Sequence, residues 1–242
     1  MELREYKDKQ LTLKGSTVLD GFPCVGLAGA IAASYLIWSL ELDCIAVLDS
    51  ANFPPLSMIY GKKPKFPARI HASPYHRVAV FTAEFTAPLS LDRTLAKTML
   101  RWSRRNECSN LITTMGMFRV EEEPAQEPQL IGVGSNETAR ARLEAAGIEQ
   151  LDVGMVAGIP AVLLNEGKWE DFDVIALLVQ VHPGVPDFRA GARVVQAVNR
   201  ILPKMRLDIK PLLAQAEEIE RRLKAMRSQA RVIEPETAPI YR

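Results

Sequence analysis

Twenty consecutive residues, Gly21 to Leu40, carry no charged side chain, and this run "GFPCVGLAGAIAASYLIWSL" constrains the chain more than any other feature. Its length matches the roughly 20 residues that cross a bilayer. Its composition does not match, because Pro23, three glycines, Ser34 and Ser39 interrupt it. Asp20 and Glu41 flank it without a cluster of positive charge. The preceding "STVLD" reads as a strand over Thr17 to Leu19, so the run is read as a Gly/Pro loop followed by a buried helix from about Val25 to Leu40. "DCIAVLDS" then supplies a nearly all-apolar strand, the pattern of a strand covered on both faces, and a parallel sheet is the expectation.

The same alternation continues along the chain. Residues Ala51 to Pro74 are rich in proline and lysine and read as an irregular excursion that includes an edge strand. "HRVAVFTAEF" is a strand, and Leu91, Leu95, Met99 and Trp102 place a helix over about Leu91 to Arg105. "NLITTMGMF" is a further strand, and "RVEEEPAQEP" an acidic loop whose charge serves solvation. "QLIGVGSNETARARLEAAGI" repeats strand, Gly loop and helix, with Ser135 or Asn136 placed to cap Thr138 to Ala146. "VGMVAGIPAVLLNEG", "DVIALLVQVHPGVPDF" and "AGARVVQAVNRIL" follow as helix, strand and helix, with Pro160 at odds with the first. The sum is a three-layer α/β fold.

Leu212, Ala216, Ile219, Leu223, Met226 and Ala230 then recur at alternating spacings of four and three, a heptad seam on a helix opened by Asp208 and Pro211. Two alanines in so short a seam favour packing back on the body over a coiled coil between chains. The expected division is therefore 1–207 as an α/β domain, 208–230 as a heptad-patterned helix and 231–242 as a flexible tail.

Composition removes several classes of function. The 242 residues include 30 basic and 29 acidic side chains, so no net field draws the chain to nucleic acid or to an anionic membrane. Cys24, Cys44 and Cys108 are odd in number and widely spaced, which fits neither a disulfide framework nor a cysteine zinc site. "MELREYKDKQ" lacks the apolar core of a secretion signal, and a cytoplasmic, unexported protein is expected.

Catalytic patterns are also weak. "GFPCVGLAG" opens a helix after a strand, but Leu27 and Ala28 stand where a phosphate-binding loop needs lysine and a hydroxyl. In "GVGSN", Ser135 lacks the second glycine of a nucleophile elbow. His71, His76 and His182 form no metal-ligand pattern, although His182, Asp49, Glu84 and Asp187 would gain meaning if the fold brought them together at strand ends.

Three segments, "GFPCVGLAGAIAASYLIWSL", "GMVAGIPAVLL" and "RVVQAVNRILPKMRLDIKPLLAQAEEIERRLKAM", together resemble the archaeal proteasome assembly chaperone family, related to the second eukaryotic assembly chaperone subunit. The resemblance covers about Thr17 to Arg227. It implies a Rossmann-like, phosphorylase-type sandwich with a C-terminal helical extension, no known cofactor and no catalysis. It also implies binding to proteasome α subunits or the α-ring; because one chain end binds weakly, a homo-oligomer that presents several together is expected, with a paralogous chaperone as a further partner. Some members end in a hydrophobic residue, a tyrosine and any last residue, and Ile240, Tyr241 and Arg242 match position by position. Such an end suits docking: the terminal carboxylate can meet a lysine, Tyr241 supplies a rigid amphipathic ring, and Ile240 an aliphatic anchor. The rival expectation is a small-molecule-binding protein or enzyme using the loops Gly21 to Gly29 and Gly132 to Asn136, and a weaker one is a membrane adaptor through Gly21 to Leu40.

Overall fold

Four strands run parallel through the middle of an eight-stranded sheet in the computed structural model, which describes residues 1–6, 11–118, 127–182, 184–202, 204–218 and 221. These are β2 (Thr17–Gly21), β7 (Val78–Ala83), β8 (Asn110–Phe118) and β10 (Asp173–Val181), ordered β7-β2-β8-β10. The sheet is mixed, which corrects the expectation of a parallel one. On one side β6 (Ala68–Ser73), β3 (Asp43–Asp49) and β1 (Glu2–Glu5) continue it antiparallel, and on the other β9 (Leu130–Gly134) pairs antiparallel with β10. Strand β3 misleads because apolarity reports covered faces and carries no information on direction. The four-residue connection Pro74 to Arg77, closed by a bond from Arg77 N to Pro74 O of 3.2 Å, forces β6 beside β7 in opposite sense.

The excursion from Ala51 to Pro74 also departs from expectation, because β6 is an interior strand between β3 and β7. Its polar letters conceal this. Arg69 is buried yet paired, its guanidinium 2.5 Å from Glu84 Oε1 and 2.7 Å from Phe66 O. The same excursion contains a separate two-stranded ribbon, β4 (Met58–Tyr60) and β5 (Lys63–Lys65).

Helices cover both faces, giving the three layers. On one face lie α1 (Ala28–Ser39), α3 (Glu137–Ala145) and α5 (Phe188–Ile201), whose Leu36, Leu143, Val195 and Val198 join Leu19, Ile112, Ile175 and Val179 of the sheet. On the other lie α2 (Asp92–Arg105) and α4 (Gly158–Trp169), which bury Leu95, Met99, Trp102 and Leu163 against Val18, Phe81 and Leu111. Trp102 meets Phe81 edge-on, ring centres 5.2 Å apart. Pro160 is accommodated in the first turn of α4, where its missing N–H breaks no helical bond.

α1 is apolar all round, and the reason is a cover on its outer side. α5 approaches closely at Gly191, where a Cβ would come within 2.6 Å of Ile31. Residues 204–218 supply the rest: Met205 and Leu212 are buried in the same core, Leu207, Ile209 and Leu213 pack against it, and Ala216 is buried too. This segment is fastened at two points. The Asn199 side chain donates to Leu207 O at 2.9 Å and accepts from Leu207 N at 3.1 Å, and the Tyr35 hydroxyl donates to Asp208 O. Asp208 Oδ1 accepts from Lys210 N at 3.0 Å, opening the helix over 210–218 as the sequence indicates. α1 spans only about 18 Å, and no helix among the described residues is long and apolar enough to cross a membrane.

Candidate functional site

The carboxyl ends of the central strands are where open α/β sheets usually leave a crevice for ligands. Here the loop after β2 is seated in that crevice. A Cβ on Gly116 of β8 would lie 2.2 Å from Val25 O, so glycine is what lets the loop backbone lie on the strand. Gly26, at φ 70°, lies equally close against Val181 of β10, and its carbonyl accepts from Asp187 N at 2.9 Å. The loop thus packs as a tight turn, and its glycines serve close approach to neighbouring strands.

Beneath it lies Asp20, a buried carboxylate that the sequence did not single out. Its Oδ2 accepts from the Thr113 hydroxyl at 2.7 Å and its Oδ1 from Phe22 N at 3.0 Å. Burial pushes its pKa up to about 6; the two hydrogen bonds oppose that rise and the carboxylate of Asp92 adds to it. Cys24 nearby is also pushed upward, chiefly by burial. A thiol held this way is a poor nucleophile.

The second Gly loop is structural as well. Ser135 Oγ donates to Phe172 O and accepts from Val174 N, both at 2.9 Å, which ties the end of β9 to the start of β10. Asn136 is the cap of α3, its Oδ1 accepting from Ala139 N at 2.9 Å. A shallow groove of about 270 Å³ runs beside it, lined by Val133, Ser135, Leu164, Asn165 and Lys168.

Of the carboxylates considered around His182, Asp187 meets its backbone N–H, and Glu84 and Asp49 are engaged by arginines. Asp187 caps α5 through Ala190 N and accepts from His182 N, at 2.9 and 3.0 Å. Glu84 holds Arg69, and Asp49 faces Arg4 at 3.5 Å. His71 is held near pKa 4 by burial first and by Arg69 and Lys65 next, so it is neutral in the fold. Among the described residues no group of histidine, cysteine and carboxylate side chains is arranged to hold a metal ion. Ile240, Tyr241 and Arg242 lie outside the described residues, as do Ile219, Leu223, Met226 and Ala230 of the seam and most of the acidic loop.

Comparison with known proteins places this arrangement. A crystal structure of Pyrococcus furiosus PbaA, described as an archaeal homolog of proteasome-assembly chaperone, superposes with a TM-score of 0.81 at 29% identity, over 90% of each chain. Pyrococcus furiosus PbaB, described as an archaeal proteasome activator, shares the fold at a TM-score of 0.79 and 23% identity, over 93% of this chain and 98% of that one. An uncharacterized protein of Methanocaldococcus jannaschii is 24% identical over 220 residues, 91% of this chain and 89% of its own length. The PAC2 family model matches residues 18–227, and the chain belongs to the PAC2 family.

Proposed function

We propose that this protein is a non-enzymatic chaperone or adaptor of proteasome assembly, cytoplasmic, which docks on the α-ring through Ile240, Tyr241 and Arg242. The observation that carries the reading is the family match over 18–227 together with the likeness to PbaA, a homolog of proteasome-assembly chaperone. The final tripeptide lies beyond the matched range and comes to the proposal through its match to the chain ends of some family members. The rival small-molecule reading is disfavoured by the way the Gly21 to Gly29 loop fills the crevice it would have to line.

The body 1–207 acts as a platform in this reading, the helix over 208–230 as an arm, and 231–242 as the docking tail. A fully extended 12-residue tail reaches about 40 Å, and Pro235 and Pro239 reduce the entropy lost when it docks. One tripeptide binds weakly, so several tails presented by a homo-oligomer, or by this chain with a paralogous chaperone, gain through effective concentration. The carboxylate must be free, which makes the last residue's identity less important than its being last.

The test is capture of purified α-ring by the full-length chain, by a chain lacking residues 240–242 and by Tyr241→Ala. Both changes are expected to lower capture by at least about tenfold, the scale of losing one buried aromatic anchor, and to leave the melting temperature unchanged. Residues added after Arg242 should act the same way. Equal capture by all forms would discard the docking tail.

A further inference from the structure

The two faces of the sheet are covered unequally: α1, α3 and α5 stand on one, α2 and α4 on the other. At the edge strand β9 this leaves a gap. Gly132 turns toward α3, where a Cβ would lie 2.5 Å from Leu143, so its neighbour Val133 turns to the opposite face, beside α4. There Val133, Val156, Ala161 and Leu164 line the groove of about 270 Å³, with Asn165 and Lys168 at its side. A third helix would fill this place, and among the described residues none does.

Next to the recess stands a projection. The chain between β9 and α4 is pinned by Leu151 N donating to Gly132 O at 3.0 Å, and Gly154 then folds against Leu151, where a Cβ would come within 2.9 Å of the leucine side chain. This path turns Val156 into the groove wall and leaves Val153 and Met155 bare, at 86% and 88% exposure. Apolar side chains exposed singly need no explanation, but two in one short loop beside an apolar groove form a patch of the kind that marks a contact site. Charge follows the same division. On α4, Glu166 is paired with Lys97 at 3.1 Å and Glu170 with Arg104. Lys168, between them at the groove, and Asp152, at the base of the projection, are exposed and have no ion-pair partner among the described residues.

We infer that the loop 152–156 and the groove beside α4 form a two-fold contact between copies of this chain, in which Val153 and Met155 of each copy enter the groove of the other and Asp152 of each meets Lys168 of the other. A contact about a two-fold axis needs a surface that complements itself. A projection beside a recess, with a negative charge on the first and a positive charge on the second, is such a surface. Both halves are on this chain, so a second copy satisfies it outright, whereas a different protein would have to carry the same knob and the same carboxylate. The inference takes from the proposed function only the use of paired tails; the contact itself stands on the groove and the loop.

Sedimentation across micromolar concentrations tests it, on the full-length chain, Met155→Asp, Asp152→Lys, Lys168→Asp and the double variant D152K/K168D. The wild type is expected to pass from monomer to dimer with concentration. Met155→Asp should weaken the dimer at least about tenfold, since it carries a charge into an apolar groove, and leave the melting temperature of the monomer unchanged because the side chain it replaces is bare. Each single reversal sets like charges against each other twice and should weaken the dimer about tenfold at low salt, and less at high salt. The double variant should recover, and so should an equimolar mixture of the two single reversals, because in the mixed dimer each lysine again faces an aspartate. A wild type that stays monomeric, or a dimer that Met155→Asp and both reversals leave intact, overturns the inference. So does loss of α-ring capture in Met155→Asp by a chain that never self-associates, which assigns the loop to the ring. A chain lacking residues 240–242 should dimerise as the wild type does, so failure of the docking tail and failure of this contact are told apart.

Discussion

Asp20 is the residue whose chemistry departs most from that of its type. Its pKa is about 6 in the fold against an ordinary 3.8, so the folded protein holds the proton more tightly than the unfolded chain does. The contribution to stability is therefore fully present below pH 4, and is lost as pH rises through about 6. Asp20→Asn removes the charge and keeps an acceptor for Phe22 N. It is expected to raise stability at pH 7 by on the order of 2 kcal/mol, with little effect at pH 4, as measured by urea unfolding at both pH values. Equal effects at the two values would mean that the carboxylate is not the source. Nothing in "TVLDG" announces this role, since an aspartate at the end of an apolar strand reads first as a turn residue; the partner, Thr113, arrives 93 residues later.

At the scale of elements, what the sequence made legible was whatever is set locally. The helix from Leu91 to Arg105, the Asn136 cap and the opening of the last helix at Asp208 follow from spacing and side-chain chemistry within a few residues. Strand order and direction do not. β6 was hidden because Arg69 and His71 look like surface residues until Glu84 and the neighbouring strands are in place. The β4–β5 ribbon was hidden by Pro64 and three lysines. The Gly21 to Gly29 stretch was legible as a Gly/Pro loop without a phosphate-binding pattern, while its seat was not, because the notch it fills belongs to β8 and β10. Gly116→Ala tests that seat. A methyl group 2.2 Å from Val25 O must push the loop off the strand, at an expected cost of about 2 kcal/mol in the urea midpoint, with the far-ultraviolet spectrum unchanged.

For the whole molecule, the segment 204–218 is part of the core. Leu212 and Ala216 are buried, and Asn199 and Tyr35 fasten the segment that leads to them. Ending the chain after residue 207 is therefore expected to cost about 3 kcal/mol, chiefly from lost burial of Leu212 and its neighbours, whereas ending it after 230 should leave the melting temperature as it was. Equal stability of the two truncations would separate arm from body. The cover of α1 has a consequence for synthesis on the ribosome. The charge-free helix is translated within the first forty residues and its last covering side chains only after the two-hundredth. Through most of translation, a greasy helix stays bare while its shield is still unmade. A nascent chain halted before residue 204 lacks that shield altogether, and the uncovered helix is the kind of surface through which incomplete chains stick to one another.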